Sequence, residues 1–287
     1  MKFTITDFRK TYPNDDACLD KIFSLRFGNL KKCPKCKKQT KFHRVKKRRC
    51  YECQWCGHQL YPTKNTIFEK TTTPLNLWFY AIYLMTATRS GVSAKEIERQ
   101  IGVTYKCAWR ITHQIRGLMG TGNNKKLSGI VEIDDTYYGG KGKGKRGRGA
   151  EKKTVVLGMI ERNGDARGKV VPNMKKKTIT PVIKDTVDEG SLINTDEFLS
   201  YRTLEDEGFF HCFVSHAIKE FVKGDCHVQS IEGFWSWLKR GIRGTHVWVS
   251  RKYIQNYENE FAFRYNQRNN GNHMFFTLLG YVAKPSQ

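Results

Sequence analysis

The stretch GIVEIDDT at residues 129–136 decides the fold, because an apolar β pattern runs directly into carboxylates. Alternation of this kind indicates a half-buried strand. An acid at such a strand end is costly unless a metal ion or another partner compensates its charge. Alternation also puts Asp134 on the same face as Glu132, with Asp135 on the opposite face. We therefore favour Asp134 as the candidate ligand and keep Asp135 as the alternative.

Two further acids occupy comparable positions. The predicted strand SLINT (191–195) ends at Asp196, and Glu232 falls within QSIEGFWSWLKR (229–240), which has the pattern of an amphipathic helix. Thirty-five residues separate Asp196 from Glu232. Lys239 lies two helical turns, about 10 Å, beyond Glu232 on the same face. Its amine can therefore contact a bound DNA phosphate.

The order of the remaining segments predicts the fold class. Short β runs at 154–161 and 168–172 precede a predicted helix at 180–189, and another β run follows near 210–215. Three strands in succession, followed by strands that alternate with helices, indicate an α/β layer structure. The segment KGKGKRGRGAEKK (141–153) is too rich in Gly and Lys for a core element, so a mobile basic loop is predicted there.

A cysteine cluster near the N-terminus predicts a zinc ribbon. Cys33 and Cys36 form one C-x2-C pair, and Cys53 and Cys56 form another after sixteen intervening residues. Four thiolates on two turns suit tetrahedral Zn²⁺, which would supply the folding energy of so small a module. Cys50 makes an alternative C-x2-C pair with Cys53. We favour the 53/56 pair because RRCYEC is typical of a strand that leads into the second pair.

Charge is concentrated in the front half of the chain. The net charge is +24; residues 1–130 carry 26 Lys/Arg and 8 Asp/Glu, whereas residues 131–287 carry 25 and 19. This asymmetry indicates a polyanion-binding part joined to a catalytic or structural part. Nucleic acid is the favoured partner, and association with ribosomes or a membrane surface is the alternative. Residues 31–49 hold eleven Lys/Arg and no acid, which favours contact with a DNA backbone.

No targeting or membrane segment is predicted. The chain contains no run of eighteen apolar residues, and its N-terminal sequence lacks the apolar core of a signal peptide. A hydrophobic content of 39% is enough for substantial cores. We therefore expect a soluble cytoplasmic protein without a membrane partner.

Residues 74–120 predict a helix-turn-helix. Ser93 and Glu96 form a capping pattern at the start of one helix, which ends near Gly102, and a second helix follows over about 105–118. A helical hairpin that does not touch DNA would explain the same spacing. The residues that the second helix would present to the major groove of DNA are Tyr105, Lys106, Arg110 and His113.

Longer strings support a resemblance to a known family. Two strand-end Asp and a helical Glu at this spacing resemble the D,D-35-E triad of RNase-H-fold transposases and integrases. VEIDDTYYGGK, NTDEFLSY, SIEGFWSWLKRGIRGTH and ENEFAFRYNQR resemble the bacterial insertion-sequence transposases related to the eukaryotic Merlin elements, which carry an ISXO-type transposase domain behind a zinc ribbon. The resemblance runs from Cys33 to Arg268.

The resemblance implies roles for the acids. Asp134, Asp196 and Glu232 would hold two Mg²⁺ or Mn²⁺ ions, and Lys239 would be the basic residue that contacts DNA. Many relatives have Asn at the position of Gln229, and in some of them that Asn is the third catalytic residue, so Gln229 remains the alternative to Glu232. Further candidates for DNA contact are Arg240 and Arg243. His216 and His227 also match family positions, and both a role in the site and a structural role remain open for them.

The resemblance also implies an architecture and a reaction. The expected parts are an N-terminal helical segment (1–30), a zinc ribbon (31–66), a helix-turn-helix (74–120) and an RNase-H-like mixed-sheet domain (128–275). The implied reaction is metal-dependent cleavage at element ends and strand transfer into target DNA, carried out by a homo-oligomer on double-stranded DNA. The alternatives are an RNase-H-like nuclease or resolvase without strand transfer and a DNA-binding regulator with an inactive catalytic domain.

Overall fold

The computed structural model of the protein describes residues 3–122, 125–139, 153–270 and 273–283. The chain forms two compact units, one made of Met1–Gly122 with Asn270–Gln287 and one made of Asn123–Asn269. Most of the predicted basic loop, residues 141–152, lies outside the described residues. No helix in the described ranges is long and apolar enough to cross a bilayer.

The first unit joins a small sheet to a group of helices. Its helices are α1 (Ile5–Thr11), α2 (Asp15–Phe27), α3 (Leu75–Ala87), α4 (Ala94–Ile101), α5 (Tyr105–Met119) and α9 (Met274–Tyr281), and its strands are β1 (Phe42–Arg44), β2 (Tyr51–Cys53) and β3 (Gln59–Leu60). The strands are antiparallel in the order β1-β2-β3. Helix α3 carries much of the core, since Trp78 and Phe79 are fully buried.

The C-terminal helix belongs to this first unit. Phe275 of α9 packs against Phe79 of α3, with ring centroids 6.4 Å apart. The predicted second domain extends to residue 275, whereas the second compact unit ends at Asn269. The apolar run MFFTLLGY has to bury its surface, and it does so against a helix that is almost two hundred residues earlier in the chain.

The predicted helix pair α4–α5 is formed as its capping residues suggest. Ser93 Oγ accepts a hydrogen bond from the Glu96 N–H at 3.1 Å, which caps α4. Gly102 then ends α4 with φ +68°, a left-handed conformation that glycine adopts without strain. Thr104 Oγ1 accepts a hydrogen bond from the Cys107 N–H at 3.4 Å and starts α5.

The second unit is built on a five-stranded mixed sheet. Its strands are β4 (Ile130–Tyr138), β5 (Thr154–Glu161), β6 (Ala166–Val171), β7 (Leu192–Asp196) and β8 (Phe210–Val214), and its helices are α6 (Lys176–Thr186), α7 (Gln229–Gly241) and α8 (Ile254–Asn266). The strand order is β6-β5-β4-β7-β8; β4, β5 and β6 are antiparallel, whereas β4, β7 and β8 are parallel. This arrangement is consistent with an RNase-H-like domain and confirms the predicted fold class.

Helices cover both faces of this sheet, and the alternation along β4 divides its side chains between them. Val131 and Ile133 belong to the core that includes Ile183 of α6. Tyr138 belongs to the opposite core, which includes Trp235 of α7 and helix α8. Even-numbered residues of β4 therefore face α7. A disulfide between Cys212 of β8 and Cys226, which the sequence analysis did not predict, ties the edge strand to the segment before α7.

Candidate active site

Asp134 and Asp196 occupy equivalent positions on neighbouring strands. Strands β4 and β7 run parallel, and Glu132 is paired with Asn194. Each aspartate lies two residues further along its own strand, so the two share the same edge of the sheet and the same face. Adjacent strands lie about 4.8 Å apart. Both aspartates are partly exposed. The structure therefore brings together two of the predicted acids.

The helix that carries Glu232 is fixed to β4 by a buried acid. Glu132 is fully buried, and its Oε2 accepts hydrogen bonds from the N–H groups of Ser230 at 2.7 Å and Ile231 at 3.2 Å. Its Oε1 accepts hydrogen bonds from the Ser230 hydroxyl at 2.9 Å and from Arg162, and it lies 3.4 Å from His227 Nδ1. An anion at a helix N-terminus satisfies N–H groups that have no partner inside the helix. Glu132 thus acts as the cap of α7.

A glycine allows α7 to lie close to the sheet beside Asp134. Asp134 is paired with Gly158 on β5. A Cβ atom on Gly158 would lie 2.2 Å from Trp235 Cζ2 and 2.9 Å from Ile231 Cδ1, which is too close for any real contact. Only a residue without a side chain permits this approach. The position of Gly158 therefore sets the distance between α7 and the strand of Asp134.

The third predicted acid is less tightly placed. Glu232 and Gln229 are both exposed, one turn apart at the start of α7. Among the residues that the structure describes, Asp134, Asp196 and Glu232 do not form a group whose ligand atoms all lie within 4.8 Å of one another. The geometry thus brings Asp134 and Asp196 to one face of the sheet, and the place of Glu232 beside them stays a prediction. It leaves the choice between Glu232 and Gln229 open.

Lys239 lies close enough to Asp134 for their charges to interact, a proximity that the helical spacing did not predict. Partial burial lowers the pKa of the Lys239 amine; the Asp134 carboxylate counteracts this, whereas Arg243 and Lys153 lower it further. A cavity of about 180 Å³ opens beside Lys239. Arg243 also lines this cavity, and both Arg240 and Arg243 are exposed. The surroundings of Asp134 in the middle of β4 therefore combine one carboxylate with several cations.

The four favoured cysteines form a metal site in the first unit. The sulfur atoms of Cys33, Cys36, Cys53 and Cys56 all lie within 4.8 Å of one another, and within the described ranges this is the only such group. Cys50 is buried outside it. Each pair is followed by a residue of positive φ, Lys37 or Gly57, whose N–H donates to the carbonyl of the first cysteine of its pair. The four soft ligands fit one structural Zn²⁺.

Three of the four residues predicted to contact DNA from α5 lie on its surface. Tyr105, Lys106 and Arg110 are exposed. His113 is only 8% exposed, and its ring centroid lies 4.1 Å from that of Trp109. The structure therefore corrects the prediction for His113, because the neighbouring indole packs over the imidazole and keeps it away from the exposed surface.

His216 and His227, together with Glu132 and Asn194, make contacts that no sequence pattern predicted. His227 belongs to the Glu132 cluster, and the His216 N–H donates to Glu197 Oε2 at 2.7 Å. Asn194 Nδ2 donates to the carbonyls of Asp225 and His227, which precede α7. The sequence signals for these contacts were Glu132 and Asn194, an acid and an amide inside apolar strands. Their partners, however, are distant in the sequence.

Comparisons with known proteins agree with this geometry. Residues 126–266 match the model of an ISXO2-like transposase domain, and residues 13–59 match that of a transposase zinc-ribbon domain. The chain is 29% identical over 278 residues to an uncharacterized protein in transposable element ISH50 of Halobacterium salinarum, covering 89% of this chain and 92% of that protein. It is also 29% identical over 97 residues to an uncharacterized transposase-like protein of Haemophilus influenzae, covering 34% of this chain and 77% of that protein.

The two domain matches occur in the order expected from the sequence, with the cysteine cluster inside the first and both Asp134 and Asp196 inside the second. The fold of the second unit and the relative in a transposable element agree with them. The chain therefore carries an ISXO2-like transposase domain behind a transposase zinc-ribbon domain.

Proposed function

We propose that this transposase uses DDE-type chemistry: it cleaves DNA at the ends of its element and joins the freed 3′-OH to target DNA. The observation that carries this proposal is the register of β4 and β7: Glu132 pairs with Asn194, and Asp134 and Asp196 each follow two residues later on the face covered by α7. That helix also holds Glu232 and Lys239. Acids on two adjacent strands and one helix are what a phosphoryl-transfer site requires.

The residues at this corner fit hard divalent cations. Asp134 and Asp196 are partly exposed and Glu232 is exposed, so their oxygens are accessible to an ion from solvent. Mg²⁺ and Mn²⁺ prefer such carboxylate oxygens. When bound, two such ions would activate the attacking oxygen and stabilise the leaving oxygen of an in-line displacement. Asp134 and Asp196 would hold them, and Glu232 would complete the site.

The cations around this corner have a separate role. Lys239 lies close enough to Asp134 for their charges to interact, and Arg240 and Arg243 are exposed on and just beyond the same helix. We assign these three side chains to the phosphates on either side of the scissile bond. Their charge would hold the DNA backbone against the acids, while the acids themselves would remain available for metal.

The first unit would recognise the DNA. Tyr105, Lys106 and Arg110 are exposed on α5, the second helix of the predicted helix-turn-helix. The acid-free basic segment 31–49, much of it within the ribbon, would contact the DNA backbone. Because two element ends must be processed together, we expect a homo-oligomer on double-stranded DNA.

Strand transfer separates this proposal from its alternatives. A labelled duplex with a free 3′-OH, taken from the sequence that flanks this reading frame, is incubated with the protein, a supercoiled plasmid and Mg²⁺. We expect label to become covalently joined to the plasmid. Nicking without joining would indicate a nuclease or resolvase, and DNA binding without any strand cleavage would indicate a regulator; either result would overturn the proposal.

A further inference from the structure

The segment after α7 contains a strained and exposed turn. The helix continues into one π-helical stretch, Ile242–His246, and Val247 then adopts φ +61° and ψ −55°. The Trp248 N–H donates to the His246 carbonyl at 2.6 Å, which closes a tight γ-turn. A β-branched residue rarely adopts a positive φ, and such strain is concentrated at functional sites.

This turn also exposes large apolar side chains. Val247 is 81% exposed and Trp248 is 69% exposed. Neither side chain therefore gains much from burial within the unit that holds it. A strained backbone that presents an indole to solvent contributes nothing to the stability of the fold. The exposed indole is therefore available for a contact outside the chain.

The cavity beside Lys239 adjoins the same turn. Its lining includes Trp248, Tyr137, Lys239 and Arg243. Its volume of about 180 Å³ is below the roughly 300 Å³ at which pockets for drug-sized ligands begin. This size suits one planar ring system, and the two cations suit an anionic backbone next to it. The cavity lies between the second half of β4, through Tyr137, and α7, through Lys239, and the charge of Lys239 interacts with Asp134.

We propose that Trp248 and this cavity hold one DNA base that has left the helical stack, next to the phosphate that reacts. The proposal depends on the proposed function for its substrate, which is DNA. The exposed indole offers a stacking surface that accepts any base, and Lys239 and Arg243 hold the adjoining backbone. The rigid turn keeps the indole in place before the base arrives, which reduces the ordering that binding requires.

A binding comparison in the absence of Mg²⁺ tests this inference without requiring cleavage. Two duplexes of the same sequence are compared, one fully paired and one with a single unpaired base. We expect the wild-type protein to prefer the second duplex by about tenfold, the order of effect that stacking on one aromatic ring produces. Trp248→Ala should reduce the preference to about one, whereas Trp248→Phe should retain most of it.

The exposed Trp55 of the zinc-ribbon segment provides the matched control. It is 60% exposed, and Trp55→Ala should leave the ratio of the two affinities unchanged. The proposal is overturned if wild type shows no preference or if Trp248→Ala keeps it. It is also overturned if Trp248→Ala alters only the oligomeric mass in light scattering, because the turn would then be a protein interface. If the wild-type protein prefers the duplex with the unpaired base but carries out no strand transfer, the proposed function alone is contradicted.

Discussion

Glu132 and Ser230 are joined by two hydrogen bonds: Oε2 accepts from the Ser230 N–H at 2.7 Å, and Oε1 accepts from the Ser230 hydroxyl at 2.9 Å. Glu132 stands two residues before Asp134 on β4, and Ser230 stands two residues before Glu232 on α7. One buried carboxylate therefore links the strand that carries the first acid to the helix that carries the third.

Removing this carboxylate should destabilise the second unit. Glu132→Ala leaves Arg162 without its buried acid partner and leaves two helix N–H groups without an acceptor. We expect a loss of about 3–5 kcal/mol in the free energy of unfolding, measured by chemical denaturation. Ser230→Ala keeps the backbone bonds to Glu132 and should cost only about 1 kcal/mol. Equal costs for the two variants would contradict the capping role.

Gly158→Ala should displace α7 from the sheet. The new Cβ would lie 2.2 Å from Trp235, and relief of this overlap should cost about 1–3 kcal/mol in the free energy of unfolding. The control is Gly233→Ala on the exposed side of α7, where no atom lies within 4 Å of the new Cβ. Alanine favours the helix there, so thermal denaturation should show the control to be at least as stable as wild type. A harmless Gly158→Ala would contradict the close packing.

Glu258 should make stability depend on pH. Burial raises its pKa well above the usual 4.5, although hydrogen bonds from Gly168 and Gln255 act in the opposite direction. Below pH 4.5 the carboxyl is protonated in both the folded and the unfolded state. As the pH rises from there toward the folded-state pKa, folding must take up a proton, and stability falls by up to about 1.4 kcal/mol per pH unit.

The variant Glu258→Gln lacks this titration. Its stability relative to wild type should therefore increase as the pH rises above the usual carboxyl pKa of 4.5 in denaturation experiments. Glu260→Gln is the control on the same helix, because Glu260 forms a buried ion pair with Arg264 at 2.7 Å. Glu260→Gln leaves the Arg264 guanidinium without its acid partner and should destabilise the protein by about 3–5 kcal/mol. A constant difference between Glu258→Gln and wild type across this pH range would refute the raised pKa.

The cysteine cluster predicts a metal content. Purified protein should contain about one zinc ion per chain in elemental analysis, because four thiolates complete a tetrahedral site. Cys33→Ser should lose that zinc together with the ribbon fold and weaken DNA binding. Cys50→Ser alters a sulfur outside the cluster and should retain the zinc. If Cys50→Ser loses as much zinc as Cys53→Ser, the assignment of the four ligands is wrong.

The local parts of the fold and of the candidate site could be predicted from the sequence. Asp134 follows the apolar first half of β4, Asp196 ends β7, and the parallel pairing of these two strands puts both carboxylates on one face of the sheet. Ser93 and Gly102 delimit α4 through their own backbone preferences. Each of these signals depends on residues that are only a few positions apart, so it can be recognised in a single sequence.

Other features of the structure depend on which helices and strands pack against each other in the folded chain. Glu132 looked like a companion of Asp134 in the alternation, but its role depends on the helix that covers that face of the sheet. A helical wheel places Trp109 next to His113 but could not show that His113 is buried, because that depends on the elements packed against α5. The strain at Val247 has no sequence signature, because valine ordinarily avoids this conformation. The packing of α9 against α3 likewise joins segments that are far apart in the chain.

The most direct test of the central claim is Mg²⁺-dependent cleavage of a duplex that carries the DNA flanking this reading frame. Asp134→Asn and Asp196→Asn should reduce cleavage to background while DNA binding persists, and Asp135→Asn, on the opposite face of β4, should remain active. Glu232→Gln should be nearly inactive, whereas Gln229→Ala should retain measurable activity. Robust cleavage by Asp134→Asn or Asp196→Asn would contradict the account, and an inactive Gln229→Ala beside an active Glu232→Gln would transfer the third role to Gln229.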